Sequence, residues 1–142
     1  MAQRKRNKIE NIIILSGFGA LALFMIIFTF LMVTPIFTID KYEDMKEIKY
    51  ADILTQKKEQ YYVFFIDEKN DDCQELETAI THYAEHARTS GAPKAYIVYT
   101  NKRENSDNTY KAPTLIYVSD GKVSETLKTY SSIINKLNDL MN

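Results

Sequence analysis

YYVFFIDEKNDDCQEL, residues 61–76, decides the fold. Tyr61–Asp67 is aromatic, β-branched and apolar on both alternating faces. A strand with one wet face would alternate with polar residues; this one does not, so it reads as covered on both sides, as in a parallel sheet. Glu68–Asp72 is polar throughout and reads as a loop. Cys73 then opens a helix. Cys73, Leu76, Ile80, Tyr83, Ala84 and Ala87 recur at steps of three and four and form one apolar stripe, and Ser90-Gly91 closes the helix.

Downstream, KAYIVYT (94–100) is a second buried strand, so residues 61–100 form a right-handed strand–helix–strand unit. Residues 101–111 are polar and loop-like. After Pro113, TLIYVS (114–119) is a third strand, and Asp120-Gly121 is a hairpin signal leading into an antiparallel partner, residues 122–127. Ile133, Ile134, Leu137, Leu140 and Met141 form the apolar face of a closing helix. Upstream, Tyr50–Lys58 reads as a brief helix with Ile53 and Leu54 facing inward. The order α-β-α-β-β-β-α predicts an α/β domain, a central mixed sheet with helices on both faces.

The N-terminal quarter is different. Arg4, Lys5, Arg6 and Lys8 stand against one acid, Glu10, whereas residues 12–37 carry no charge. A bilayer core about 30 Å thick needs ~20 apolar helical residues, so this run predicts one transmembrane helix; Gly17 and Gly19 are tolerated in lipid. Ala20-Leu21-Ala22 has the form of a signal-peptidase site, but cleavage there would leave LFMIIFTFLMV at a new N-terminus, which favours an uncleaved anchor. The basic tail resists translocation, which keeps the N-terminus cytoplasmic and the C-terminal domain extracytoplasmic at the cell membrane. The expected division is tail 1–11, transmembrane helix 12–37, linker 38–47 and domain 48–142.

The chain's 18 basic and 19 acidic residues, less the four cations and one acid of that tail, leave 14 against 18, a net of −4. Such a surface has no basic stripe for nucleic acid. Cys73 is the only cysteine, so no internal disulfide forms.

The element order and two stretches together resemble the thioredoxin-like superfamily. YYVFFIDEKNDDCQEL is similar to the first core strand, active-site loop and helix of membrane-anchored bacterial thioredoxin-like proteins, including the bacteriocin-transport accessory group of low-GC Gram-positive bacteria. APTLIYVSDGKVSETL (112–127) resembles that family's cis-proline strand and hairpin. The resemblance covers about residues 48–142 and implies a thioredoxin fold. It also implies that the C-x-x-C of an oxidoreductase has become Asn70-Asp71-Asp72-Cys73, with asparagine at the nucleophile's position. The buried acid that helps move protons in thioredoxins would fall at Phe64. Ala112-Pro113 is either the family's cis bond, flanking a peptide groove, or a proline that merely starts a strand.

Disulfide exchange needs a thiolate attacker and a second thiol to resolve the mixed disulfide. Asn70 cannot attack, and Asp67, Glu68, Asp71 and Asp72 oppose thiolate formation at Cys73. Cys73 therefore reads as a buried small side chain on the helix stripe. The expected function is a redox-degenerate extracytoplasmic binding or accessory module, leaning against enzyme activity, with Glu68, Asp71, Asp72, Ala112 and Pro113 as the surface for a protein or peptide partner. The alternative is a thiol-disulfide oxidoreductase or monothiol protein using Cys73 in envelope redox homeostasis. His82-Tyr83-Ala84-Glu85-His86 matches the H-x-x-E-H string of inverzincins, but these polar residues lie off the apolar stripe and read as a solvated face. Asp67–Asp72 lacks the glycine and distal glutamate of a calcium loop. No metal and no cofactor is expected.

Overall fold

The strand expected at residue 61 is β1, Gln60–Ile66, and all but its first residue are buried. The computed structural model describes residues 16–29 and 38–142, which fall into two units divided between residues 37 and 38. In the second unit β1 pairs in parallel with β2 (Lys94–Tyr99) and antiparallel with β3 (Thr114–Ser119). β3 in turn pairs antiparallel with β4 (Lys122–Leu127). The result is a mixed four-stranded sheet ordered β2-β1-β3-β4. Asp120 (φ 50°) and Gly121 (φ 71°) both adopt the left-handed backbone that a tight two-residue hairpin requires.

β1 side chains alternate between two apolar layers. Tyr62, Phe64 and Ile66 meet α2 (Asp71–Ser90) and α3 (Tyr130–Met141), where the expected stripe from Cys73 to Ala87 packs with Ile133 and Leu137. Tyr61, Val63 and Phe65 form the other layer with Tyr96, Val98, Ile116 and Val118. That second layer corrects the expectation of helices on both faces. Among the described residues no α-helix packs on it; Ile48, Ile53, Tyr50 and Tyr110 do. The reason is local. The expected helix at Tyr50–Lys58 is only a 3-10 turn, Tyr50–Asp52, with Ile53 buried and Leu54 44% exposed. Residues 55–60 (TQKKEQ) hold no apolar side chain, so a second helical turn would have nothing to bury.

The segment before it forms the vestige of a further strand. Ile48 N–H donates to Ile97 carbonyl oxygen at 2.9 Å and Ile97 N–H to that of Lys46 at 3.1 Å, a single parallel bridge along the outer side of β2.

In the first unit residues 16–29 are helical, here α1. Its apolar side chains, from Phe18 (70%) to Phe28 (48%), are exposed. Among the described residues no helix is long and apolar enough to cross a membrane. Residues 12–15 and 30–37 of the expected span lie outside the described residues.

Six buried tyrosines make the domain alkali-sensitive. Burial first, then neighbouring acids and phenols, pushes the Tyr42 and Tyr83 hydroxyls well above their ordinary value and that of Tyr99 up to about 12; Tyr61, Tyr62 and Tyr96 shift the same way, with burial the first cause in each. Groups whose folded pKa is raised contribute stability that is complete below the unfolded value and lost as pH climbs through it. The melting temperature is therefore expected to hold to about pH 9 and fall progressively above about pH 10. A melting temperature flat from about pH 8 to about pH 11 would contradict this assignment.

Candidate functional site

The turn from β1 into α2 is built by Asn70. The helix opens at Asp71, two residues before the expected Cys73, so Asp71 and Asp72 belong to its first turn and not to the loop. Asn70 is its N-cap: Oδ1 accepts from the Cys73 N–H at 3.1 Å, satisfying one orphan donor of the first turn. Such a cap contributes about 1 kcal/mol, and Asp71 and Asp72 add favourable charge at the positive helix end. The signal was present in the sequence, since an asparagine followed by two acids is a helix start.

The other amide face of Asn70 points across the site, with Nδ2 3.5 Å from the Ala112 carbonyl oxygen. The structure thus brings the Asn70 turn and the Ala112–Pro113 strand entry together, and the bond between Ala112 and Pro113 is cis. Both residues are half-buried, and Thr114, next in the chain, is buried and pairs with Phe65 of β1. Asp67 Oδ1 is occupied by the Lys69 N–H at 3.0 Å and Asn101 Nδ2 at 3.1 Å, which locks the loop. Glu68, Asp71 and Asp72 are exposed, and among the described residues their carboxylates make no hydrogen bond or ion pair. Among the described residues no hydrogen bond joins those carboxylates to Ala112 or Pro113; Asn70 is what links the two stretches.

Cys73 is fully buried, in one cluster with Phe64, Leu76, Ile80 and Leu115. Its carbonyl accepts the Tyr42 hydroxyl, which ties the segment before the sheet to the start of α2. Burial pushes the thiol above its ordinary value; the Asp67 backbone N–H works against that, and the charges of Asp67 and Asp72 add to it. A neutral thiol behind an apolar wall is a poor nucleophile. Phe64, 1% exposed, fills the place where the resemblance would put an acid. The acids Glu68, Glu47, Glu43 and Glu77 all act on Tyr99, so this end of the sheet carries a negative field.

Glu85 of the H-x-x-E-H string is engaged elsewhere. Glu85 pairs with Arg88, and among the described residues no group of His, Cys, Asp and Glu is placed to hold a metal.

No family model matches the sequence, and no curated protein matches it. Among solved structures it is similar to mitochondrial thioredoxin 3 of Saccharomyces cerevisiae. That match has 12% identity and a TM-score of 0.52, covering 69% of this chain and 97% of the other. It is also similar to the thioredoxin of Trypanosoma brucei brucei, at 17% identity and a TM-score of 0.51, covering 71% and 94%. The chain therefore has a thioredoxin-like α/β fold.

Proposed function

We propose that this chain is a single-pass membrane protein, N-terminus cytoplasmic, that displays a redox-degenerate thioredoxin-like domain outside the membrane as a binding or accessory module. The observation that carries the loss of redox chemistry is Asn70. It stands at the nucleophile's position and uses its side chain to cap α2 and reach Ala112, while the chain's single thiol is enclosed. The anchor is supported by the charge-free run 12–37 behind a basic tail and by the exposed apolar side chains of residues 18–28. The partner surface is the exposed acidic turn, Glu68, Asp71 and Asp72, with the Ala112–Pro113 edge beside Asn70. Three free carboxylates favour a basic or amide-rich protein segment.

The test is cross-linking on intact spheroplasts with a membrane-impermeant reagent. The wild-type chain is expected to give a discrete adduct, and a Glu68→Ala, Asp71→Ala, Asp72→Ala triple variant to lose most of it. The three side chains are exposed, so the fold is retained. An undiminished adduct would remove the acidic turn from the interface, and the absence of any adduct in the wild type would overturn the extracytoplasmic location. Catalytic reduction of a disulfide substrate by the pure protein would put the oxidoreductase reading first.

A further inference from the structure

At the opposite end of the sheet from Asn70 the surface is basic and concave. Two adjoining hollows, of about 570 and 560 Å³, share Lys57, Lys58, Arg88 and Lys94, and the first also takes in Lys46 and Ile39. They lie where β1 and β2 begin, whereas the Asn70 turn lies where β1 ends; seven strand residues at about 3.3 Å each separate them. Lys57, Lys58 and Lys94 are exposed, and among the described residues their ammonium groups have no carboxylate partner. Lys46 lies over the Tyr96 ring, 5.2 Å from its centroid.

The acids nearby offset only part of this charge. Asp44 already accepts the Asp40 and Lys41 N–H groups, and Glu85 is held by Arg88 and the Ile39 N–H, leaving Glu59 as the other acid on the rim. A domain of net charge −4 thus gathers unpaired cations in one hollow, far from its acidic end.

Ile39 links the hollow along the chain to the charge-free run. Ile39 lines the hollow and follows the charge-free run by two residues, a reach of at most about 7 Å even fully extended. If that run ends at the bilayer face, this covalent link alone keeps Ile39 close to the headgroup layer. We infer that the Lys46, Lys57, Lys58, Arg88 and Lys94 hollow docks on anionic phospholipid headgroups of the leaflet facing the domain, turning the acidic turn and Ala112–Pro113 away from the membrane. The inference rests on the anchor reading of the preceding section. Headgroup phosphates supply the acceptors that Lys57, Lys58 and Lys94 lack, and each cation near an anionic surface strengthens attachment.

The experiment reconstitutes the full chain in phosphatidylcholine vesicles with and without phosphatidylglycerol. Insertion is read by flotation after an alkaline carbonate wash, and accessibility by the acylation rate of each lysine by mass spectrometry. Expected is insertion in both lipids, with Lys57, Lys58 and Lys94 slowed roughly fivefold each by phosphatidylglycerol and restored by high salt. A Lys57→Glu, Lys58→Glu variant should insert equally and lose the protection at Lys94; Lys57→Gln, Lys58→Gln should lose part of it.

Insertion with equal acylation rates in both lipids would overturn the docking and leave the anchor standing. Lysine protection on anionic vesicles by a chain that washes off would support the docking and overturn the anchor. Neither insertion nor protection would overturn both. Equal protection by inorganic phosphate over pure phosphatidylcholine would make free phosphate the occupant and overturn the lipid assignment.

Discussion

Phe64→Asp is expected to abolish cooperative folding of the domain. Phe64 is 1% exposed, between Ile97 of β2 and Leu115 of β3 in the sheet and under the α2 stripe that includes Cys73. Removing a buried phenyl ring costs about 3–5 kcal/mol. Leaving a carboxylate without a partner in its place adds several more. The sum, on the order of 5–10 kcal/mol, matches the whole stability of an ordinary domain. Thermal and denaturant melts should show no native baseline near neutral pH, with partial recovery on acidification as the carboxyl takes up a proton.

Phe64→Leu keeps the apolar volume nearly constant and should cost less than about 1.5 kcal/mol. A Phe64→Asp domain that melts cooperatively within about 2 kcal/mol of the wild type would mean that water or a cation reaches this position. In that case an apolar wall around Cys73 would not account for slow reaction of the thiol.

The second large effect is on the thiol itself. Cys73 is expected to react with a small alkylating agent at least about 100-fold more slowly in the native domain than in denaturant. Two causes act together. The side chain has no exposed surface, so attack requires local opening of the α2 start, and burial beside Asp67 and Asp72 favours the neutral thiol. The measurement is the pseudo-first-order labelling rate by intact-mass spectrometry, with and without denaturant. Native labelling within a few-fold of the denatured rate would show a thiol that opens readily and would move the monothiol reading ahead of the binding module. Because Tyr42 binds the Cys73 carbonyl and closes the packing around it, Tyr42→Ala should speed native labelling, which locates the opening at the start of α2.

Much of this architecture is legible in one dimension because period and punctuation are local properties. β1 announces itself through apolar residues at consecutive positions, α2 through its stripe from Cys73 to Ala87, and the β3–β4 hairpin through Asp120-Gly121. Each depends on neighbours within a turn or a pleat. That Asn70 cannot attack a disulfide is equally local, since an amide side chain is no nucleophile whatever surrounds it.

Tertiary structure decided what depends on distant partners. Tyr50–Lys58 has the look of a helix, yet only Tyr50–Asp52 turns, because Ile48, Ile53 and Tyr110 already cover that face of the sheet and TQKKEQ offers it nothing further. The two α-helices of the second unit, α2 and α3, therefore share one face. Asn70, a loop residue in the sequence, becomes a cap and a bridge only when β3 brings the Ala112 carbonyl to within 3.5 Å. Lys46, Lys57, Lys58, Arg88 and Lys94 are unremarkable charges along an acidic chain, and become one basic hollow only when the chain before β1, the end of α2 and the start of β2 converge. Hydrophobic periodicity thus encodes which residues are inside. Where polar groups meet depends on contacts across tens of residues, which one chain's local pattern does not carry.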